Sequence, residues 1–565
     1  MKILGINYLS ESSISYMENG NIKFSISEER LNRIKNWYGN PWLSINHFLK
    51  EYNLKINDID LFATHGLITK LSNKRFNSSE YNKKIDLLKK SQISIKKKKY
   101  LISQIKFRKK KEQSAIDRAK RLIKALNKDI KKKIHIFDHH TCHAATAAYF
   151  SGWKKSYVLT IDGWGDGCSS KLFSFTKGKL SLIRSTSLLD SLGYFYGSIT
   201  KLLGFTPHRH EGKVLGLAAY GNPNLAYKEI SEMISFDKKL KNFVSHPENG
   251  LYLPLFENDN LKILLKKYKK KDIAAATQKH LENIVTDYVK SIDDKPFNLA
   301  LSGGVFSNVK LNQKLSELNN VKDIFVFPNM GDGGLSVGAA ALCHLQYKKI
   351  NSKRLKNYYL GLSFSNNDIK LVLDQFKLNY VTGKSLEKKV AKYLHQNKTV
   401  AVFQGKMEFG PRSLGNRSIL ASSKDFKVNK WLNKRLGRTE FMPFAPITLK
   451  NHAKKMYENF KKGIYSSKFM TVTYNCSHIM KKISPAPVHI DGTARPQIID
   501  KSINPRVFKI LNEYYKISKN PNLINTSFNM HEEPIVYTPN DAVKSFLRSK
   551  LDYLYIGDYL IKKRK

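Results

Sequence analysis

The chain has 565 residues, 41% of them hydrophobic, enough apolar material for two or three domains with their own cores. Its formal net charge of +52, from 98 basic and 46 acidic side chains, favours anionic ligands, although lysine, asparagine and isoleucine are plentiful throughout and spread much of that charge over solvated faces. Four cysteines, Cys142, Cys168, Cys343 and Cys476, form no CxxC pair, and the sequence shows neither a leader-like apolar segment at MKILGINYLS nor an apolar run of bilayer length, which together argue against a disulfide-built, secreted or membrane-spanning protein and predict a cytoplasmic one.

In chain order, residues 1–31 open with an apolar run, continue in alternation and turn at Glu18 to Asn21, the pattern of successive antiparallel strands. From about Thr69 to Lys133 lysine is densest, with clusters at Lys96 to Lys99, Arg108 to Lys111 and Lys131 to Lys133. That stretch reads as a helical, surface-exposed insertion able to meet a nucleic acid or another anionic surface, a partner that the rest of the chain does not favour. The run DHHTCHAATAAYF then sets His139 and His143 four residues apart in an Ala-rich segment that predicts a helix, so both imidazoles share one face. Two histidines so spaced also occur as buried, hydrogen-bonded residues. Asp162 in TIDGWGDG and Asp332 in NMGDGG shift the reading to a metal site assembled from two halves of one domain, and imidazole with carboxylate suits iron, zinc or manganese.

The segment SYVLTIDGWGDGCSSKLFSFTKGKLSLI repeats the opening meander, with a strand ending at Asp162, a Gly-rich turn, a second strand and a hairpin turn at Lys177, Gly178 and Lys179. Two copies, each followed by helical material, predict a duplicated α/β domain whose cleft binds a nucleotide. The loop HRHEGKVLGLAAYG offers Glu211 and Lys213 for phosphate or acceptor groups. In FNLALSGGVFSNVKLNQKL a buried strand leads through Gly303 and Gly304 to a helix expected near Ser307, a backbone suited to close approach by an anion, with Asn308 positioned for a nucleotide. The segment IFVFPNMGDGGLSVGAAAL repeats the strand-loop-helix arrangement around Asp332 and Gly333, with a small-residue helix from about Leu335.

After a polar connection near Tyr347 to Tyr359, a second domain resumes with a strand at Thr399 to Phe403 and the loop QGKMEFGPRSLGNRSIL. Lys406, Arg412 and Arg417 fall within twelve residues there, and two guanidinium forks with an ammonium suit a phosphorylated ligand such as a triphosphate. Arg435, Arg438, Arg495, Asn525 and Ser527 would add donors.

Taken in order, SISEER (Glu28, Glu29, Arg30), DHHTCHAA, TIDGWGDG, SLGYFYG, EGKVLGLAAYG, LSGGVFSN, GDGGLSVGAA, EFGPRSLGNRSIL, PFAPITL, DGTARPQ and NTSFNMHEEPIV resemble the carbamoyltransferases of the NodU/CmcH group over nearly the whole chain. The resemblance implies an α/β protein in two parts. Residues 1–350 would form an actin-like, duplicated ribonuclease-H-like domain holding one divalent metal, iron(II) with zinc and manganese as alternatives, through His139, His143, Asp162 and Asp332. Residues 360–565 would form a YrdC-like domain that makes carbamoyl adenylate from carbamoyl phosphate and ATP, with magnesium accompanying ATP. The carbamoyl group would then pass to a hydroxyl of a small molecule or glycan, with a second copy of the chain as a further candidate partner.

Two departures from the family pattern stand out. Ser10 and Glu11 occupy the place of a common His-Asp pair, leaving the acceptor-side base unassigned, and Met442 replaces an arginine whose loss Lys434, Arg435 or Arg438 would have to offset. A hydrogenase maturation factor of the HypF type is excluded by the lack of paired CxxC motifs. A threonylcarbamoyl-type tRNA-modifying enzyme and an inactive anion- or RNA-binding relative are the alternatives.

Overall fold

The computed structural model describes residues 1–66, 79–103, 105–106, 134–249, 259–437 and 442–563. Of the Lys-rich insertion, Arg108 to Lys111 and Lys131 to Lys133 lie outside these residues, as does Arg438. The chain divides into two compact units: residues 1–22 with 38–354, and residues 23–37 with 355–565. The expected division at 350–360 did not anticipate that the SISEER segment clusters with the second unit. Arg33 shows the reason, donating from its guanidinium to the main-chain oxygens of Pro534 and Ile535 at 2.7 and 2.8 Å.

Two five-stranded sheets repeat one plan; their residues belong to the first unit except 23–27, the end of one edge strand, which cluster with the second. Strands β1 (Lys2–Asn7), β2 (Ser13–Glu18), β3 (Asn21–Ser27), β4 (Leu61–His65) and β5 (Ile134–Phe137) lie in the order β3-β2-β1-β4-β5. Strands β6 (Lys155–Gly165), β7 (Cys168–Thr176), β8 (Lys179–Ser187), β9 (Phe297–Ser302) and β10 (Val321–Val326) lie in the order β8-β7-β6-β9-β10. In each copy an antiparallel meander is extended by two parallel strands, the ribonuclease-H-like plan, and its duplication is the actin-like fold. Asn19-Gly20 and Lys177-Gly178 turn the hairpins with positive φ at both central positions, the twist that paired strands require. Five helices of this unit matter for the site: α1 (Ser79–Lys90), α2 (His139–Phe150), α3 (Glu211–Ala218), α4 (Val309–Glu317) and α5 (Leu335–Leu345). The described insertion residues are helical in α1 and again over 95–103. The helix expected near Ser307 begins at Val309, because Asn308 takes the capping position and residues 304–307 form a tighter turn.

The second unit is an α/β layer structure, in keeping with the expected YrdC-like domain. Its strands β11 (Tyr380–Val381), β12 (Val400–Phe403), β13 (Arg417–Ser422), β14 (Ala445–Leu449), β15 (Gln497–Ile499), β16 (Asn522–Ser527), β17 (Tyr553–Ile556) and β18 (Tyr559–Lys562) lie in the order β11-β18-β17-β12-β13-β16-β14-β15. Alternation divides the core. Ala401 and Phe403 face one layer with α6 (Asn366–Gln375), α8 (Val428–Leu436) and α10 (Pro539–Arg548), while Val400 and Val402 face the other with α7 (Leu386–His395) and α9 (Pro505–Ser518). Among the described residues, no helix is long and apolar enough to cross a membrane.

Candidate metal centre and phosphate loop

Strand ends deliver the first cluster. Asp138, just past β5, caps α2 by accepting from the Thr141 main-chain N–H at 2.8 Å, and helical periodicity then stacks His139 and His143 on one face. Near its end β6 delivers Asp162, and Asp332 opens the turn that leads into α5. One ligand atom from each of the four lies within 4.8 Å of the others. His143 Nε2 is 3.0 Å from Asp162 Oδ2 and 3.5 Å from Asp332 Oδ1. His139 Nε2 is 3.6 Å from Asp332 Oδ1 and 3.9 Å from Asp162 Oδ2.

These residues fit a metal on chemical grounds. Ligands about 2.1 Å from one ion, at the angles of tetrahedral or octahedral coordination, sit roughly 3.0–3.4 Å apart, near the spacings found. His139 Nε2, His143 Nε2 and Asp332 Oδ1 are buried and accept or donate no hydrogen bond, an expensive arrangement for a protein unless a cation satisfies them. The surroundings fix their orientation. Ser302 Oγ lies 3.3 Å from His143 Nδ1, turning the other ring nitrogen toward the carboxylates. Asp162 accepts from the N–H groups of Gly163 at 2.5 Å and Gly304 at 3.2 Å. A Cβ at Gly165 would come within 2.1 Å of the His139 ring, so this position has room for glycine alone.

Electrostatics agree with the geometry. Burial disfavours the His143 cation, but Asp162 and Asp332 outweigh it and push the imidazole up to about 9. Burial also works against the Asp162 anion, yet the two histidines hold its carboxyl well below the usual range.

Beside this cluster lie residues that the sequence reading missed. Asn7 Nδ2 donates to the Asp332 main-chain oxygen at 2.9 Å, and Asn7 Oδ1 meets His65 Nε2 at 2.8 Å. The His65 ring stands edge-on to His139, and burial drives its pKa well below the ordinary value. The available signal was its place at the end of the apolar run LFATH. Glu11 has a defined place too, accepting from the Gly333 N–H at 3.0 Å and so bracing the loop that carries Asp332.

The other first-unit residues have mixed fates. Gly303, with φ of +106°, and Gly304 form the turn after β9, Gly303 against the Ile161 main chain and Gly304 against the Asp162 carboxylate. Asn308 instead caps α4 through the Leu311 N–H and donates to Gln278 Oε1 at 2.8 Å, so its amide is engaged in structure rather than aimed at a nucleotide. Glu211 opens α3 and accepts from the His208 N–H at 2.6 Å, while Lys213 is buried.

The second unit organises its basic loop around a residue given no role in the sequence. Glu408 Oε1 accepts from the main-chain N–H groups of Leu414, Asn416 and Arg417 at 2.7, 2.8 and 3.1 Å. Arg30, from the SISEER segment, donates to the Gly410 oxygen at 3.1 Å. Asn525, on β16, donates to the Ser413 oxygen at 3.2 Å and to Gln497 Oε1 at 2.6 Å; Ser527 ends the same strand, opposite Ser418. Arg495 lies two residues before the start of β15, the edge strand of this sheet.

The basic residues divide into two kinds. Lys406 is exposed and lines a cavity of about 570 Å³ together with Tyr359, Phe364, Phe403, Asn504 and Arg506. Arg412 is half-buried on the loop. Arg417, expected to grip phosphate, is fully buried: it stacks 3.7 Å over the Phe403 ring and donates to the oxygens of Gln404, Asn416 and Gly405. Its fork is used on the loop's own carbonyls, and burial lowers its pKa to about 10. Arg435 cannot replace the arginine missing at Met442. It pairs with Asp552 at 2.8 Å and reaches Thr399, at the start of β12 and β17, whereas the Lys406 loop leaves the opposite end of β12.

The fold and the two clusters define a class: a duplicated actin-like domain bearing a two-histidine, two-carboxylate centre, joined to an α/β domain organised around a basic loop. Residues 2–341 match the carbamoyltransferase N-terminus and residues 391–563 the carbamoyltransferase C-terminus, so the chain belongs to the carbamoyltransferase family. It is similar to two uncharacterized proteins of Methanocaldococcus jannaschii, at 31% and 32% identity, each alignment covering 100% of both chains. It is also 30% identical to the nodulation protein NolNO of Sinorhizobium fredii, over 99% of this chain and 79% of that one.

Proposed function

We propose that this carbamoyltransferase makes carbamoyl adenylate from carbamoyl phosphate and ATP in its second unit and transfers the carbamoyl group to an acceptor hydroxyl at the first. The observation that carries the reading is the pairing of a loop pinned by Glu408, Arg30 and Asn525, which carries Lys406 and Arg412, with a buried His2Asp2 cluster in which His139 Nε2, His143 Nε2 and Asp332 Oδ1 have no hydrogen-bond partner.

Atom balance sets the sequence of steps. Carbamoyl phosphate and water give carbamate and phosphate; a carbamate oxygen then attacks the α-phosphorus of ATP, and pyrophosphate leaves. Lys406 and Arg412 neutralise charge as those phosphoryl bonds break, and Arg417 keeps the loop rigid so that the donors are preorganised. In the first unit Gly303 and Gly304 let the adenylate approach the main chain, and Asp162 and Asp332 hold the two histidines in place. A divalent ion bound there would supply a Lewis acid for the carbonyl or phosphate of the adenylate. The acceptor oxygen then bonds to the carbamoyl carbon, its proton passes to base or solvent, and AMP departs.

The test is acceptor-independent. Carbamoyl phosphate should drive pyrophosphate release from ATP, and Arg412→Ala should reduce it at least a hundredfold. Release driven by threonine with bicarbonate, and not by carbamoyl phosphate, would move the chain to the tRNA-modification reading.

A further inference from the structure

Residues 79–106 hold nine lysines in 28 positions, against 98 lysines and arginines in the 565 of the whole chain, roughly twice the average density. A compositional bias spread evenly along the chain does not produce that concentration. What the segment is fastened to gives it a function. Leu88, Leu101 and Ile105 form a buried cluster with Leu188 and Leu189, and Trp164 packs against it. Trp164 stands two residues from Asp162 and next to Gly165, against which His139 lies.

A polar anchor makes a second link to the same loop. Lys84 Nζ is buried 2.9 Å from Asp190 Oδ1 and donates to the Ser245 oxygen at 3.0 Å. Asp190 precedes Ser191, whose Oγ donates to the Gly163 oxygen at 2.6 Å. Apolar and ionic fastenings thus join the segment to the two residues that follow Asp162. Meanwhile Lys83, Lys89, Lys90, Lys96, Lys97 and Lys99 remain exposed.

From this we infer that the acceptor hydroxyl belongs to an anionic saccharide bearing phosphate or carboxylate groups, and that the lysine face over residues 83–99 docks it beside the His2Asp2 cluster. The inference rests on the carbamoyltransferase reading and adds the acceptor's class. A neutral acceptor gains nothing from six exposed ammonium groups. An anionic saccharide gains both encounter rate and affinity, and both fall with salt.

The test is calorimetric binding of three probes to the full chain: oligogalacturonate for carboxylates, a nucleotide sugar for phosphates, and maltohexaose as the neutral control. Either anionic probe should bind, at least tenfold more weakly at 300 than at 50 mM salt, with no binding of maltohexaose. The triple variant Lys96→Gln, Lys97→Gln, Lys99→Gln should weaken that binding at least fivefold, while equal charge removal at Lys370, Lys388 and Lys389 in the second unit changes it less than twofold. Circular dichroism would confirm that both variants fold. No binding of either anion, equal loss in the two variants, or tighter binding of an RNA oligonucleotide than of either anionic probe would overturn the inference. Pyrophosphate release by the unaltered protein, measured alongside, reports separately on the carbamoyltransferase reading.

Discussion

His143 Nε2 lies 3.0 Å from Asp162 Oδ2, one on a buried helix and the other near the end of a central strand, and neither the imidazole nitrogen nor Oδ1 of the neighbouring Asp332 has a hydrogen-bond partner. That pairing fits a cation held among these groups. Purified protein should therefore carry close to one equivalent of divalent metal by elemental analysis. His143→Ala should reduce it below a tenth of an equivalent and leave the circular dichroism spectrum unchanged, since the lost ring faces the cluster rather than the apolar core.

Metal binding should strengthen with pH. In the metal-free protein the two carboxylates outweigh burial and raise His143 to about 9, so at neutral pH a proton occupies the nitrogen that the metal requires. Affinity should rise up to about tenfold per pH unit from pH 7 and level off as pH passes the His143 value. Calorimetry in buffers of different ionisation enthalpy should detect close to one proton released at pH 7, with the number falling toward zero above pH 9. A pH-independent affinity would contradict this assignment.

Ser302→Ala should weaken metal affinity by about tenfold without removing a ligand, because Ser302 Oγ is what orients His143 Nδ1. Competition with a chelator would measure it.

Arg417 and Arg412 should differ in what their loss affects first. Arg417→Ala removes a fully buried stack on Phe403 and leaves three main-chain oxygens without that donor, a loss of about 3 kcal/mol or more, visible as a clear drop in the midpoint of the second unit. Arg412→Ala should act on the reaction, reducing pyrophosphate release at least a hundredfold. Glu408→Ala should resemble Arg417→Ala, since three main-chain N–H groups lose one acceptor.

The duplicated meander was legible because strand alternation and two Gly-centred hairpin turns are local signals, and the order of the parallel strands then follows from connection rules. His139 and His143 were legible from helical spacing, and Asp162 and Asp332 from Gly-rich turns after apolar strands. What stayed hidden was set by distant contacts. Nothing near Arg417 in sequence says that its fork turns inward to carbonyls; Phe403, fourteen residues earlier, supplies the ring it covers. Arg435 lies near Met442 in sequence, yet the sheet puts its Asp552 partner at the far end of β12 from the Lys406 loop. Glu408 and Arg30 sit inside recognisable motifs, but their work is to hold main-chain groups of a loop, and that requires the fold to be seen.

The most direct test of the central claim is to quench a reaction of the metal-loaded protein with ATP and 13C-labelled carbamoyl phosphate and to search for labelled carbamoyl adenylate by mass spectrometry. The account predicts the labelled adenylate, formed with one phosphate and one pyrophosphate per molecule and absent in Arg412→Ala. Release of ADP with no adenylate, or label remaining wholly in carbamoyl phosphate and its hydrolysis products, would contradict it.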